Sequence, residues 1–266
     1  MYRGLDIGTA KATPNERARV VHHGLDLVDP DAPFSVADFR AHALRNLEAL
    51  GSRGGVGILA GGTGFWLRAV ARGMDTDALP SDARVRASLE GRLEREGLES
   101  LADELTTRAP TAAARVDLHN PRRVVRALEI ATLRGDEPQP APLGYPASVL
   151  WLGLDVRDVA EHRRRIGARA RGQFDAGLID EARALRERYD PTLPAFSAIG
   201  YREAWAVLDG RTTRDEAINE DARRNVAFAK RQRTWFRSEP GVTWLDTTAA
   251  VSGQARDLVR RFVERP

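Results

Sequence analysis

The chain has 266 residues, of which 30% are charged, with a formal net charge of +3 and no cysteine. This length allows one large domain, or a core domain with an insert. The lack of cysteine excludes disulfides and thiolate metal sites, and no apolar run is long enough for a transmembrane helix. The small net charge predicts a local basic surface rather than a protein that is basic throughout.

The first third of the chain predicts alternating strands and helices. Apolar runs at 24–28 and 56–60 end at acidic or glycine turns, and each predicts a buried strand. Between them, Ser35 is in position to cap a helix that ends near Gly51. The second run continues into a tight turn at 61–64, Gly-Gly-Thr-Gly. Strand, helix and strand in this order predict an α/β fold.

The middle of the chain changes character. Its segments are rich in Arg, Glu, Ala and Leu at helical spacing, and they predict helices over 82–96, 98–108 and 121–134. Asn120 as cap and Pro121 in the first turn are typical of a helix start. The proline-rich residues that follow predict a linker.

The last part returns to mixed structure. Strand patterns occur at 149–154 and 242–245. The predicted helices are 157–176, 178–188, 201–208, 213–237 and 249–264. The Thr213-x-x-Glu216 pattern predicts a capping box at the start of 213–237. The predicted organisation is an α/β core over 1–73, a helical insert over 74–118, and a return to the core with a helical part over 119–266.

Several basic clusters are candidates for binding phosphate. Arg165 and Arg169 are four residues apart on a predicted helix, so they share a face that suits a diphosphate. Three arginines at 122, 123 and 126 lie at a helix start, where the helix dipole also favours phosphate. Each cluster is also typical of a solvated basic face.

The predicted helix over 213–237 combines charge with aromatic groups. Residues 222–237 contain six basic side chains and no acidic one, with Phe228, Trp235 and Phe236 interleaved. Such a segment suits an RNA backbone and an unpaired base, although the aromatic rings are equally typical of core.

The turn at 61–64 has glycines that let backbone amides approach a ligand, and Thr63 adds a hydroxyl. The alternative is a turn without a ligand.

The sequence resembles the tRNA dimethylallyltransferase family over nearly its whole length. The stretch 2–11, YRGLDIGTAK, is similar to the family signature that follows the catalytic aspartate. Further similar segments are 22–30 (HHGLDLVDP), 34–39 (FSVADF), 61–69 (GGTGFWLRA), 120–123 (NPRR), 198–203 (AIGYRE) and 229–237 (AKRQRTWFR). Their order and spacing together indicate the family.

The resemblance implies a P-loop-kinase-like parallel sheet, lacking the P-loop strand in this chain, with a mostly helical insert and a helical C-terminal part. It implies that 1–73 are a truncated nucleotide- and diphosphate-binding core and that the helical part of 119–266 binds tRNA. It implies transfer of a dimethylallyl group from dimethylallyl diphosphate to N6 of the adenine 3′ of the anticodon, with the base flipped out of the loop. An aspartate acts as base and Mg²⁺ is the cofactor. The implied partners are the tRNA anticodon loop and dimethylallyl diphosphate. The resemblance implies a monomeric, cytoplasmic enzyme without a membrane partner.

The resemblance also assigns residues. Thr63 and Arg169 belong to the catalytic site, and Arg169, beside Arg165, contacts the diphosphate. The implied tRNA contacts are Thr63, Arg86, Arg122, Arg123, Arg126, Ser197, Gly200, Tyr201, Arg202, Lys230, Arg231, Gln232 and Arg237. Tyr201 can instead pack in the core, and Arg202 can instead offset Glu203. No metal ligand is assigned. Asn225-Val226 stand where the family has Thr-Arg, so the chain departs from the family at one expected RNA or phosphate contact.

The family's P-loop and catalytic aspartate precede the signature that here begins at Tyr2. No Gly-x-x-x-x-Gly-Lys-Ser/Thr occurs in the sequence, and Asp6 belongs to the signature rather than acting as base. The expectation is that upstream residues are missing, through a wrong start site or a truncated gene, and that the chain as given is inactive. Two alternatives remain: an adenylate isopentenyltransferase, which the basic helix and the helical insert argue against, and a degenerate RNA-binding remnant.

Overall fold

The computed structural model describes residues 1–76, 79–138, 141–248 and 251–264. The chain forms two compact units, one of Met1–Val70 with Ala147–Pro266 and one of Ala71–Pro146. The predicted insert boundaries at 74 and 118 stay a prediction. No helix within the described ranges is both long and apolar enough to cross a membrane.

Most of the described chain is helical. In chain order the elements are α1 (Pro14–Arg19), α2 (Val36–Gly51), α3 (Gly64–Ala71), α4 (Ala83–Arg108), α5 (Pro110–Ala113), α6 (Pro121–Arg134), β1 (Trp151–Asp155), α7 (Val159–Asp175), α8 (Leu178–Arg188), a 3-10 turn (Pro194–Ser197), α9 (Tyr201–Leu208), α10 (Arg214–Arg237), β2 (Val242–Asp246) and α11 (Val251–Val263).

Polar caps start the helices where the sequence predicts them. The Ser35 hydroxyl accepts from the Asp38 amide at 3.2 Å, and that aspartate binds the Ser35 amide at 2.8 Å. Thr213 opens α10 with the same reciprocal arrangement. A further box at Thr13 opens α1, a helix that the sequence interpretation did not include. The predicted starts are confirmed because the cap satisfies amides that have no partner inside the helix.

The described strands form a parallel pair. β1 and β2 run in register from Trp151 opposite Val242 to Asp155 opposite Asp246. This confirms the α/β class and both strands predicted for the last part of the chain. The strand predicted at 24–28 is wrong, since that run contributes only an isolated parallel bridge between Val28 and Tyr2.

The strand predicted at 56–60 is also wrong. This run has no ladder partner among the described residues, and Val56 and Ile58 are 54% and 89% exposed. Apolar composition predicts burial, but a strand also requires a neighbouring backbone that accepts and donates its hydrogen bonds. Without one, the run lies at the surface with no regular structure.

The core of the first unit lies among α7, α8 and α9. Phe174, Leu178 and Phe196 are almost fully buried. Trp205 packs edge-on against Phe196, with ring centroids 5.2 Å apart, and donates its indole N–H to the carbonyl of Ala182 at 2.8 Å. A buried tryptophan with a satisfied N–H fixes the distance between α8 and α9.

In the second unit, α4 packs along α6. Gly97 has φ of 82° and interrupts α4, between the two helices predicted over 82–96 and 98–108. Leu101, Leu105 and Leu128 are fully buried between the packed faces. The left-handed backbone at Gly97 bends α4 at little cost because glycine has no Cβ.

A buried carboxylate joins the ends of these helices. Glu129 on α6 is fully buried and accepts from the Asp82 amide at 2.9 Å, from Arg86 at 2.8 Å and from Arg126 at 2.7 Å. Burial alone would raise the pKa of Glu129, but the bonds from Arg126 and Arg86 outweigh it and leave the pKa below its ordinary value. Ionised Glu129 therefore stabilises the folded state.

We expect Glu129→Gln to lower the free energy of unfolding by about 2–4 kcal/mol, since two guanidiniums lose their anionic acceptor. The folded pKa lies below the ordinary value near 4.3, so the stabilisation is present above that value and is lost as pH falls through the folded pKa. Urea unfolding from pH 7 to pH 3 measures both effects. Glu90→Gln, at an exposed position of α4, is the matched control. A constant difference between wild type and Glu129→Gln over this range would contradict the assignment.

Candidate functional site

The turn 61–64 packs directly on the C-terminal half of α10. The Gln232 side chain donates to the carbonyl of Gly62 at 3.2 Å. A Cβ at Gly62 would lie 1.9 Å from Gln232 Nε2, and a Cβ at Gly64 would lie 2.0 Å from the Trp235 ring. Both glycines are therefore required for this close approach. Thr63, between them, is exposed, so the packing leaves its side chain at the surface beside Gln232.

An arginine joins α3 to the end of α10. Arg68 binds Glu239 with an N–O distance of 2.6 Å, and its guanidinium lies 4.4 Å from the centroid of the Trp235 ring. The carboxylate is almost fully buried whereas the Arg68 side chain is partly exposed. The ion pair is therefore only partly shielded from solvent, and it ties α3 to the residues just after α10.

The basic side chains of α10 fall into two groups. Arg223, Arg224 and Arg233 pair with Glu220, Glu203 and Asp155 respectively. The exposed Lys230, Arg231 and Arg237 have no side-chain hydrogen bond or ion pair within the described residues. Of these, Arg231 lies 5.7 Å from the Phe228 ring centroid. The three cations predicted to bind tRNA are thus those that remain available to an external anion.

Arg165 and Arg169, the two arginines of α7 predicted to contact the diphosphate, differ in the same way. Arg165 donates to Glu161 at 2.6 Å, and the bonds from Arg164 and Arg165 lower the pKa of Glu161 to about 2. Arg169 is exposed and has no side-chain hydrogen bond or salt bridge among the described residues. Its charge acts on buried Asp221 of α10, where it opposes the rise in the pKa of that carboxyl group.

Asp221 lies in the interface between α10 and its neighbours. It is 1% exposed and accepts from the Asn225 amide at 2.7 Å through one oxygen, while the other oxygen has no partner. Burial raises the pKa of Asp221 above its ordinary value, the Asn225 bond opposes that shift, and the charge of Glu203 adds to it.

The residues at and before the start of α9 that are predicted to contact tRNA differ in their exposure. Gly200 has φ of 109° and its amide donates to Glu203 at 2.9 Å. Tyr201 is fully buried, so the ring predicted to contact tRNA belongs to the core, the alternative that the sequence left open. Arg202 is exposed, and so is Ser197, whose hydroxyl donates to the Pro194 carbonyl at 2.7 Å.

The remaining predicted contacts lie in the second unit. Arg86 and Arg126 bind buried Glu129, and Arg126 also donates to the Pro80 carbonyl at 2.9 Å. Arg122 and Arg123, in the first turn of α6, are exposed and form no side-chain bond to described residues. All four arginines were predicted to contact tRNA, but they differ in the structure. Arg86 and Arg126 stabilise the fold, whereas Arg122 and Arg123 are available to a ligand.

Two buried contacts to the signature segment 2–11 were missed by the sequence analysis. Gln173 of α7 donates to the carbonyls of Ile7 and Gly8 at 2.8 and 2.9 Å, and Glu181 of α8 accepts from the amides of the same turn. No local pattern indicates such contacts, since they join residues more than 160 positions apart.

A metal site is not apparent in these surroundings. The described ranges bring together no three His, Cys, Asp or Glu side chains that could hold a metal ion. We therefore assign no protein ligand to the expected Mg²⁺.

The comparisons with known proteins agree with one another. A family model described as IPP transferase matches residues 1–239. A tRNA dimethylallyltransferase of Thermus thermophilus is 44% identical over 246 residues, which cover 91% of this chain and 79% of that protein. The solved tRNA isopentenylpyrophosphate transferase of Bacillus halodurans is 36% identical with a TM-score of 0.69, covering 98% of this chain and 83% of its own. A eukaryotic dimethylallyltransferase acting on tRNA has a TM-score of 0.77 at 21% identity, covering 100% of this chain and 71% of its own, and supports the fold alone.

We expect Gly64→Ala to lower the free energy of unfolding by about 1–3 kcal/mol, because the added methyl overlaps the Trp235 ring and the core must shift to accommodate it. Gly61→Ala is the matched control, since a Cβ there meets only Leu67 at an ordinary 3.7 Å. Thermal unfolding of the two variants measures the difference. Equal midpoints for both would show that the turn does not depend on close packing against α10.

Proposed function

Because the chain belongs to the IPP transferase family, we propose that it contributes to the prenylation of tRNA. The reaction is transfer of a dimethylallyl group from dimethylallyl diphosphate to N6 of the adenine 3′ of the anticodon. The allylic carbon–oxygen bond breaks, the diphosphate leaves with the electron pair, and the adenine nitrogen bonds to the carbon and loses a proton. A flipped-out base suits this chemistry, since N6 is otherwise paired or stacked.

One observation supports the RNA part of the proposal above the others. The end of α10 holds the turn 61–64 through Gln232, and the residues beside Gln232 present exposed cations. A nucleotide at Thr63 would thus lie beside the helix that carries Lys230 and Arg231, and we propose its neighbouring phosphates as the anions that these cations bind. Phosphate contacts fix the register of a nucleic acid, and the Thr63 hydroxyl can then contact a single nucleotide.

Arg169 is the group we propose for the diphosphate. Its guanidinium is exposed and forms no side-chain hydrogen bond or ion pair in the described structure, whereas Arg165 is already bound to Glu161. Charge accumulates on the diphosphate as the carbon–oxygen bond breaks, so a cation placed there stabilises the transition state more than the ground state.

We assign no general base within residues 1–266. Asp6 pairs with Lys11, whose ammonium also binds Asp26 at 2.6 Å, so this carboxylate is engaged in a contact within the fold. Mg²⁺ remains a proposal. It would bind chiefly through the diphosphate oxygens, as is usual where magnesium meets a phosphate substrate. A monomeric state and a cytoplasmic location are likewise proposals.

Two other functions stay open to test. An adenylate isopentenyltransferase would need no basic surface along α10, and the exposed cations there favour RNA. A non-catalytic RNA-binding remnant would keep this surface without chemistry, and the expected inactivity of residues 1–266 stays a prediction. Mass spectrometry of tRNA and of free adenine nucleotides, from a strain that carries only this gene with its upstream region, separates the three. Prenylated adenosine beside the anticodon supports our proposal, prenylated free nucleotide supports the adenylate isopentenyltransferase, and the lack of both products supports the remnant.

We expect Arg231→Ala and Arg237→Ala to weaken tRNA binding severalfold and to reduce its salt slope by about one each, because each variant loses one phosphate contact. The control is Arg223→Ala on the same helix, whose guanidinium is already paired with Glu220 at 2.6 Å. Binding is measured by titration at several salt concentrations. If affinity and slope stay unchanged in both test variants, these cations are only solvated.

In a chain extended by the upstream residues that the sequence leads us to expect, Arg169→Ala should lower kcat by about 10²–10³ while tRNA affinity barely changes, since the guanidinium acts on the small substrate. Arg165→Ala should cost less, because that side chain is already neutralised by Glu161. Single-turnover transfer and tRNA binding are measured separately. Normal transfer by Arg169→Ala, or a defect mainly in tRNA binding, would refute the assignment.

A further inference from the structure

Glu181 joins the signature turn to the start of α9. Its carboxylate accepts from three consecutive backbone amides, those of Asp6 at 3.2 Å, Ile7 at 2.8 Å and Gly8 at 3.1 Å. It also accepts from the Tyr201 hydroxyl at 2.8 Å. Four donors converging on one carboxylate form a strong, charge-assisted arrangement. The carboxylate of Glu181 therefore ties the turn to the first residue of α9.

The Tyr201 ring completes this connection. A Cβ at Gly8 would lie 2.6 Å from the ring, so the turn lies directly against it. Burial raises the pKa of the Tyr201 phenol far above its ordinary value, and the charge of Glu181 adds to the shift. The phenol therefore stays a donor to Glu181 under the conditions of any binding experiment.

Arg202 stands between two anchored neighbours. Tyr201 is fully buried and bound to Glu181, and Glu203 is buried and pairs with Arg224 of α10. Arg202 itself is exposed and forms no side-chain bond with the described residues. Its backbone is thus held from both sides while its guanidinium is free, which is the arrangement that lowers the entropic cost of binding an anion.

We propose that Glu181 is a positioning residue for tRNA binding, which acts through the Tyr201 hydroxyl to hold Arg202 where it meets an RNA phosphate. The inference rests on the proposed function, since it takes tRNA as the ligand. Glu181 touches no substrate; it fixes the first turn of α9. Loss of the link leaves the charge of Arg202 in place but lets its backbone move, so the phosphate contact weakens.

The test is a double-mutant cycle between Tyr201 and Arg202. Arg202→Ala should weaken tRNA binding about three- to tenfold and reduce the salt slope by about one. Tyr201→Phe removes only the hydroxyl and should weaken binding about two- to fivefold. In the Tyr201→Phe background, Arg202→Ala should cost less than about twofold, because the contact is already impaired.

The matched control is Tyr189→Phe, combined with Arg202→Ala in the same way. The Tyr189 ring packs on Phe196 in the same core, with centroids 6.4 Å apart, but its hydroxyl contacts exposed Arg188 rather than Glu181. Its effect should be additive with that of Arg202→Ala. Additivity in the Tyr201 cycle as well would overturn the inference, because a purely structural tyrosine leaves the cost of Arg202→Ala unchanged.

A second variant tests Glu181 itself. Glu181→Gln replaces one acceptor oxygen with a donor that faces backbone amides, and it should reduce both tRNA affinity and the cost of Arg202→Ala. Glu187→Gln, exposed on the same helix, should change neither. An unaltered cost of Arg202→Ala in a folded Glu181→Gln protein would refute the positioning role. Should Glu181→Gln fail to fold, the Tyr201 cycle decides alone.

The proposed function and the positioning role of Glu181 are contradicted by different results. If wild-type protein does not bind tRNA, the proposed function is contradicted. If wild-type protein binds tRNA and Arg202→Ala weakens it equally in every background, only the role of Glu181 is contradicted.

Discussion

Helix α10 is the element to which a strand, a helix and a turn of the first unit attach, each through a polar contact that is buried or partly buried. Arg233 binds Asp155 at the end of β1 at 2.7 Å, Arg224 binds buried Glu203 of α9, and Gln232 holds the turn 61–64. Each lies on a different part of the helix surface. Because a charge removed from water is costly unless it is paired, these contacts specify one arrangement of strand, helix and turn around α10. Any ligand group bound by the exposed face of α10 is then placed relative to all three.

The pairing of the arginines decides which of them can act on a ligand. A guanidinium already bound to a carboxylate, such as Arg165 on Glu161, has part of its field neutralised before a phosphate arrives. An exposed arginine whose guanidinium is not bound to a carboxylate, such as Arg169 or Arg202, has its charge and its five donors available to a ligand. The net charge of +3 averages over the whole chain. The positive potential near the unpaired arginines is therefore stronger than this number suggests.

Local sequence patterns predicted what local physics determines. The caps at Ser35 and Thr213 and the helices that follow them are as predicted, because a cap and its amides lie within one turn. The strand at 56–60 was not predictable in this way, since a ladder depends on a distant partner. The same limit applies to the site. Spacing identifies Arg165 and Arg169 as one face, but only the structure distinguishes the paired arginine from the free one.

The structure explains why Asn225-Val226 can stand where the family has Thr-Arg. The Asn225 amide donates to the Asp221 carboxylate at 2.7 Å and to its carbonyl at 3.1 Å, so this side chain is used within α10. Without it, Asp221 would have two buried oxygens lacking partners, at a cost of about 1–3 kcal/mol or more for a charged group. Where the resembling family has a hydroxyl and a guanidinium, this chain therefore has an amide that stabilises a buried acid and an apolar Val226. The cation lost at that position leaves Arg169 and Arg224 as the arginines whose charges oppose the raised pKa of Asp221. Since Arg224 is bound to Glu203, Arg169 is the one of the two with no competing ion pair.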